Sequence, residues 1–443
     1  MNIRPSEQHQ DDDHKDEYLS NHTISMRAAL DYCRELLRKP RLNSSSVHIH
    51  TQHAIDAWNA AQTISQQRQD ALEDISMNLS IPTIQFEENM SVLDFRKQFL
   101  HANRPCLIQG LPHFTNIARK WRTQESEINK DWFSKHVGDD TLVPVRKQCS
   151  EQQLDDEGRA QECTTVEMPL REWLHNTNNS SRELYLKDWH LQKLMWKKHT
   201  KSPPLYNIPE IFGSDLLNNF LLKFTGGDYR FVYWGPPGSQ TPLHSDVLHS
   251  FSWSYNVVGK KKWTFHIGDD YYSQLVVIQN AGDTVFVPST FLHSVENLSQ
   301  ALSLNHNWIT TANIDLTWDC LMKEMTLINV ELEKWDNTSW DAKEFMLRGC
   351  VGLDVTAFFF MVLTAQWDLL TQGSNDDWER FFDMFRLHQV LEALTKPEVH
   401  LQERLASVLG EETLALEAID AATTAMRVVD NVKAEVLLVD NGL

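Results

Sequence analysis

Between residues 229 and 309 the sequence is cut into eight short runs, and this segmentation restricts the architecture more than any other feature. The runs are 229–234, 241–246, 250–258, 260–267, 276–279, 284–287, 293–297 and 301–309. Turn signals such as Gly235-Pro-Pro-Gly238 separate them, and no helical pattern is interleaved. An antiparallel double-sheet barrel is therefore expected rather than an α/β fold. Within the third run Phe251, Trp253, Tyr255 and Val257 alternate with Ser252, Ser254 and Asn256, giving one apolar and one small polar face. After Gly259, Lys261 shares its face with Trp263 and Phe265. A lysine so placed either snorkels to water or meets an anion inside the fold. In the last run Ser303, Asn305 and Asn307 share one face, opposite Leu302, Leu304, His306 and Trp308. Three polar groups facing a dry core are costly, so that face suits a polar pocket.

His244-Ser-Asp246 opens the middle of this region. Residues two apart on an extended strand point to the same side, so an imidazole and a carboxylate converge. Joined by a distant histidine they form the two-histidine, one-carboxylate set that holds non-heme iron(II) and leaves positions open. With 19 histidines in 443 residues, His-x-Asp alone is a weak signal. Beside a buried lysine, however, an iron site suits a small dicarboxylate.

Thr241 three residues before His244, Gly259-x-Lys261-x-Trp263, and Gly282-Asp-Thr-Val-Phe-Val-Pro288-Ser-Thr-Phe-Leu-His293 together resemble the JmjC-type 2-oxoglutarate oxygenases. The resemblance implies an α+β fold built on a double-stranded β-helix, the jelly-roll or cupin-like JmjC barrel. It implies that His244, Asp246 and His293 bind Fe(II) and are the catalytic centre. Lys261 would pair with the distal carboxylate of 2-oxoglutarate, with Thr241 and Tyr185 as hydroxyl donors. Asn305, Asn307 and Ser254 (asparagine in some relatives) would complete the cosubstrate contacts. Tyr185 has a second reading, ordinary core packing. With O2, such enzymes convert 2-oxoglutarate to succinate and CO2 while hydroxylating a C–H bond.

The resemblance runs over about 81–350 and takes in Leu184-Tyr-Leu-Lys-Asp-Trp-His190, Asp228-Tyr-Arg-Phe-Val-Tyr233 and Asn305-His-Asn-Trp308. Within the family these segments are similar to lysyl hydroxylases that act at carbon 4 of a lysine in the translation termination (peptide chain release) factor. That factor is the implied partner, and promotion of termination the implied role. The connection 268–275 is short where relatives carry a long loop near the pocket mouth, so it bears on substrate recognition.

Three regions are expected: a polar, acidic N-terminal extension with one or two helices (1–80), the catalytic domain (81–313) and a helical C-terminal region (314–443). The first twenty or so residues read as disordered, with Thr23 capping the first helix. His48, His50 and His53 read as a polar loop rather than a metal site. The formal net charge of −20 argues against general nucleic-acid binding. The six cysteines are scattered, without a Cys-x-x-Cys pair, which suits reduced thiols. No apolar signal core opens the chain, and Ala357-Phe-Phe-Phe-Met-Val-Leu363 is too short for a membrane span of roughly 20 residues. The expected location is the cytoplasm, with the nucleus as the other compatible compartment. Two other functions fit the same features: a histone lysine demethylase, and a catalytically inactive cupin-like binding module. Against the first, most JmjC demethylases carry glutamate where this chain has Asp246.

Overall fold

The computed structural model describes residues 5–39, 51–86, 91–147, 164–177, 184–198, 203–267, 274–334, 339–371 and 378–440. The acidic segment 150–163, most of the short 268–275 connection, His48, His50, Cys149 and Cys163 lie outside the described residues. The chain is a mixed α+β protein that divides into two compact units. One comprises Gln66–Gly213 and Asp228–Trp308; the other comprises Met1–Ser65, Ser214–Gly227 and Ile309–Leu443.

The first unit holds all thirteen described strands: β1 (Thr83–Gln85), β2 (Cys106–Gln109), β3 (Leu142–Lys147), β4 (Thr165–Pro169), β5 (Leu184–Trp189), β6 (Arg230–Gly235), β7 (Gln240–His244), β8 (Phe251–Val258), β9 (Lys261–His266), β10 (Gln274–Gln279), β11 (Thr284–Val287), β12 (Leu292–Asn297) and β13 (Ala301–Trp308). Nine of them form one sheet in the order β1-β2-β11-β8-β13-β6-β5-β3-β4, antiparallel except for the β1–β2 pair. The other four form a sheet in the order β10-β9-β12-β7, antiparallel throughout.

All eight runs read from the sequence are strands, with ends displaced by a residue or two. The larger difference is at 241–246, where the strand stops at His244. Leu248 (φ 59°) and His249 (φ 48°) then take left-handed conformations that cost non-glycine residues of order 1–3 kcal/mol each. This bend leaves Asp246 beyond the strand end.

The period-two pattern of β8 sorts its side chains as expected. Trp253 turns outward onto Phe212, stacked at 5.7 Å, and onto Phe114 at 5.0 Å. His306 on β13 stacks on Trp253 at 5.2 Å and meets the Tyr206 hydroxyl at 3.1 Å, so it faces away from the inter-sheet space. Between the sheets Trp263, Phe265, Leu275, Val285 and Val287 form an apolar cluster that leaves the polar pocket at one end. Truncating one such buried ring costs about 3–5 kcal/mol. Gly259 turns β8 into β9 at φ +89°, and a Cβ there would fall 2.0 Å from the Gln300 carbonyl oxygen.

In the helical unit, helix Pro5–Leu37 begins well before Thr23 and takes in the stretch expected to be disordered. Gly349 lies inside helix Trp340–Val351, and Gly352 ends that helix in the left-handed conformation (φ 85°). The run 357–363 is buried inside helix Val355–Thr371. No single described helix is long and apolar enough to cross a membrane; Trp340–Val351 and Val355–Thr371 reach that length only across a 77° bend.

Candidate active site

Strands β7 and β12 pair so that His244 lies directly opposite His293, with ring centroids 4.3 Å apart. A register shift between His293 and Val295 re-aims the β12 side chains here. Each imidazole is fixed by a backbone carbonyl two residues back. His244 Nδ1 lies 2.9 Å from the Pro242 oxygen and His293 Nδ1 lies 3.0 Å from the Phe291 oxygen. A carbonyl only accepts, so each Nδ1 carries the proton and each Nε2 presents its lone pair. Asp246 completes the set, with Oδ1 3.9 Å from His244 Nε2. Ser252 Oγ donates to Asp246 Oδ2 at 2.6 Å and holds the carboxylate in place. One ligand atom from each of His244, Asp246 and His293 lies within 4.8 Å of the others. Burial holds the His293 imidazole below its usual pKa, against the pull of Asp246, which favours the neutral form that metals bind.

The rest of the pocket is polar and lies deeper. Lys261 on β9 is 2% exposed, and its Nζ donates to Ser303 Oγ at 2.6 Å. Asn305 Nδ2 donates to the same oxygen at 3.0 Å. Among the described residues no carboxylate pairs with Lys261. Burial, and then the neighbouring Lys187 charge, push its pKa down to about 7. Burial raises the Tyr185 phenol, although hydrogen bonds with Thr241 and Asn297 oppose the shift. Tyr185, Thr241, Lys261, Asn305 and Asn307 therefore line one pocket with His244, Asp246 and His293. The cavity measures about 420 Å³ including its open mouth.

Ser254 is the sequence-predicted residue that does not line the cavity. It is buried opposite Asn305 on β13. The structure adds Ser252, Tyr233, Trp263 and Val295 to the lining. Tyr233 donates to Asp188 Oδ1 at 2.7 Å, and Asp188 sits at φ 58° where β5 breaks register against β6.

No protein-family model matches the chain. Individual relatives do. It is 32% identical over 313 residues to the 2-oxoglutarate and iron-dependent oxygenase JMJD4 of Danio rerio, covering 61% of this chain and 72% of that one. It is 30% identical over 354 residues to JMJD4 of Homo sapiens, covering 69% and 82%. The chain belongs to the JMJD4 family of 2-oxoglutarate and iron-dependent oxygenases. It is also 31% identical over 281 residues to the arginine-specific demethylase JMJ20 of Arabidopsis thaliana, covering 54% and 59%.

A JMJD4-family oxygenase works with Fe(II), 2-oxoglutarate and O2. The donor set in this chain fits both groups. Two imidazole nitrogens and one carboxylate suit iron(II). A buried ammonium whose described partner is a neutral hydroxyl suits a carboxylate, because an uncompensated buried charge is strongly unfavourable. Ser252 was visible in the sequence only as part of a small polar face; nothing there marks its bond to Asp246. Tyr233 reads as an ordinary strand aromatic, and no sequence signal separates it from its neighbours.

Proposed function

We propose that this JMJD4-family chain is a protein lysyl hydroxylase acting at carbon 4 of a lysine in the translation termination factor. Its two facing sheets are read as the double-stranded β-helix barrel of the JmjC proteins. His244, Asp246 and His293 would hold Fe(II), and Lys261 the far carboxylate of 2-oxoglutarate. The observation that carries this assignment is the buried Lys261 ammonium, with no described carboxylate partner, in one pocket with the triad. Bound Fe(II) would activate O2, the oxidant, which takes two electrons from 2-oxoglutarate as it becomes succinate and CO2 and two from the substrate, one oxygen atom entering succinate and the other turning C–H into C–OH.

The chain's own residues bind, orient and exclude water. Ser252 fixes the angle of the Asp246 carboxylate, and the Pro242 and Phe291 carbonyls fix the two imidazole planes. Tyr185 and Thr241 offer hydroxyls beside Lys261, and Trp263 and Val295 close the wall. Residence in the cytoplasm goes with the release factor as substrate.

A second reading is a demethylase, favoured by the likeness to JMJ20. Hydroxylating an N-methyl carbon uses the same chemistry; the resulting hemiaminal releases formaldehyde. The test is succinate formation by the full chain, loaded anaerobically with Fe(II), with and without recombinant release factor, followed by intact mass of the factor. One oxygen gained on a lysine, absent in His244→Ala and Asp246→Ala, is the expected result. Succinate without a modified factor sinks the substrate while leaving the oxygenase standing. Methyl loss from arginine- or lysine-methylated histone peptides would move the assignment to the demethylase. Absence of both iron binding and succinate would favour the binding module.

A further inference from the structure

A cluster on the helical unit has ligand geometry of its own and uses no residue of the oxygenase pocket. Helix Trp378–Leu394 presents His388 and, one turn later, Glu392, so both lie on one face. Asp430 reaches the same point from helix Glu412–Asp440. His388 Nε2 lies 3.1 Å from Asp430 Oδ1 and 3.5 Å from Glu392 Oε1. One ligand atom from each of the three residues lies within 4.8 Å of the others. The histidine side chain is 1% exposed, whereas the two carboxylates are half-exposed.

Glu392 and Asp430 both pair with the His388 ring at Nε2, yet neither oxygen is well aligned for a hydrogen bond there. The oxygens are near enough, so they must lie off the axis along which the ring N–H points. A hydrogen bond needs a near-linear arrangement, with an angle above about 150° preferred. A shared cation needs the opposite. With zinc bonds of about 2.0–2.2 Å and tetrahedral angles, nitrogen and oxygen ligands sit about 3.3 Å apart, each oxygen well off the nitrogen's lone-pair axis. The observed 3.1 and 3.5 Å bracket that separation. Lys433, one turn on from Asp430, rests over the Trp58 ring at 4.7 Å and makes no ion pair with either carboxylate among the described residues.

We propose that His388, Glu392 and Asp430 form a second divalent-metal site, suited to zinc, that ties helix Trp378–Leu394 to helix Glu412–Asp440. Three protein ligands leave a fourth position for water. The site joins segments of the helical unit and has no part in the chemistry of the pocket.

The experiment uses the full chain carrying His244→Ala and Asp246→Ala, so that zinc at the triad does not register. The metal-free protein is titrated with zinc chloride by calorimetry, and its unfolding temperature is followed with and without zinc. About one zinc per chain and a raised unfolding temperature are expected. Asp430→Asn and Glu392→Gln, both isosteric changes at half-exposed positions, are then added singly. Losing an outer-shell partner already costs about 10–100-fold in metal affinity, so losing a ligand should weaken zinc at least that much and remove the thermal shift. No zinc bound by the parent, or zinc bound as tightly by Asp430→Asn, would overturn the proposal.

Discussion

Lys261 sets a pH dependence that follows from its surroundings. Burial and the Lys187 charge lower its pKa to about 7, against about 10.4 for a free lysine. Between those values the unfolded chain holds a proton that the folded chain does not, so folding stability rises with pH across that window. The lysine's cost to folding is full below about pH 7 and is relieved above it. An anionic carboxylate requires the charged form, so cosubstrate binding above that pH takes up a proton. The dissociation constant for 2-oxoglutarate should then rise by up to about tenfold per pH unit above 7. Lys261→Met should weaken binding by about 10–100-fold, the range of a charge-assisted hydrogen bond, and flatten the profile. Calorimetric titrations from roughly pH 6.5 to 8.5 decide it; a flat profile in the parent protein sinks the lysine assignment. Ser252 acts on the metal through Asp246. Ser252→Ala should raise the Fe(II) concentration for half-maximal succinate formation by about 10–100-fold, and Ser252→Thr should restore it. An unchanged iron requirement would remove Ser252 from a positioning role.

At the level of strands, the end of β6 is where space becomes critical. Gly235 has no left-handed backbone to explain it; what it supplies is room. A Cβ there would lie 2.3 Å from Ser239 Oγ, 2.5 Å from Asn297 Nδ2 and 2.8 Å from Tyr185 Cδ2. Gly235→Ala should therefore displace the Tyr185 phenol at an overpacking cost of about 1–3 kcal/mol. The expected result is a several-fold higher KM for 2-oxoglutarate at an unaltered iron requirement. Steady-state kinetics varying each in turn would show it, and an unaltered KM would return Tyr185 to plain packing. These contacts mark the limit of what the sequence discloses. The strands were legible because each has one face in the inter-sheet space, and burial on one face writes a period of two. Lys261, Asn305 and Asn307 stood out as polar groups on faces that should be dry. The bend after His244 was not legible, because Leu248 and His249 adopt left-handed conformations without the glycine that normally announces one. Nor were β3 and β4, where Pro144 interrupts the first run and the segment between them carries no alternation. Ser254 shares the polar face of β8 with Ser252, and nothing in that alternation separates the serine that lines the cavity from the one that does not.

For the whole chain, the sequence discloses segments but not their assembly. The helical character of 314–443 is plain from apolar spacing, yet the unit also draws on the N-terminal helix and on Ser214–Gly227. Thr23 Oγ1 donates to the Val408 oxygen at 2.8 Å and Arg27 Nε to the Leu409 oxygen at 3.0 Å, pairings between opposite ends of the chain. No local pattern encodes contacts at that separation; they arise when amphipathic helices find a common core. Helix Leu216–Phe224 shows the consequence. It lies between β5 and β6 in sequence, but Leu217, Phe220 and Leu221 are buried, and the helix packs on Pro5–Leu37 and Val355–Thr371. Tyr32 of the N-terminal helix meets Phe224 at 6.1 Å. A fragment spanning 81–313, the region a sequence reader would express as the catalytic domain, keeps this helix but loses both of its supports. Three large apolar side chains would face water, each at a cost of about 1.5–3 kcal/mol. The fragment should bind a hydrophobic dye such as ANS and aggregate at concentrations where the full chain stays monodisperse. Replacing Leu217, Phe220 and Leu221 by polar residues in the fragment should suppress both behaviours. Light scattering and dye fluorescence on the two fragments and the full chain settle it. An 81–313 fragment that is monodisperse and dark to the dye would mean that this helix does not need the helical unit.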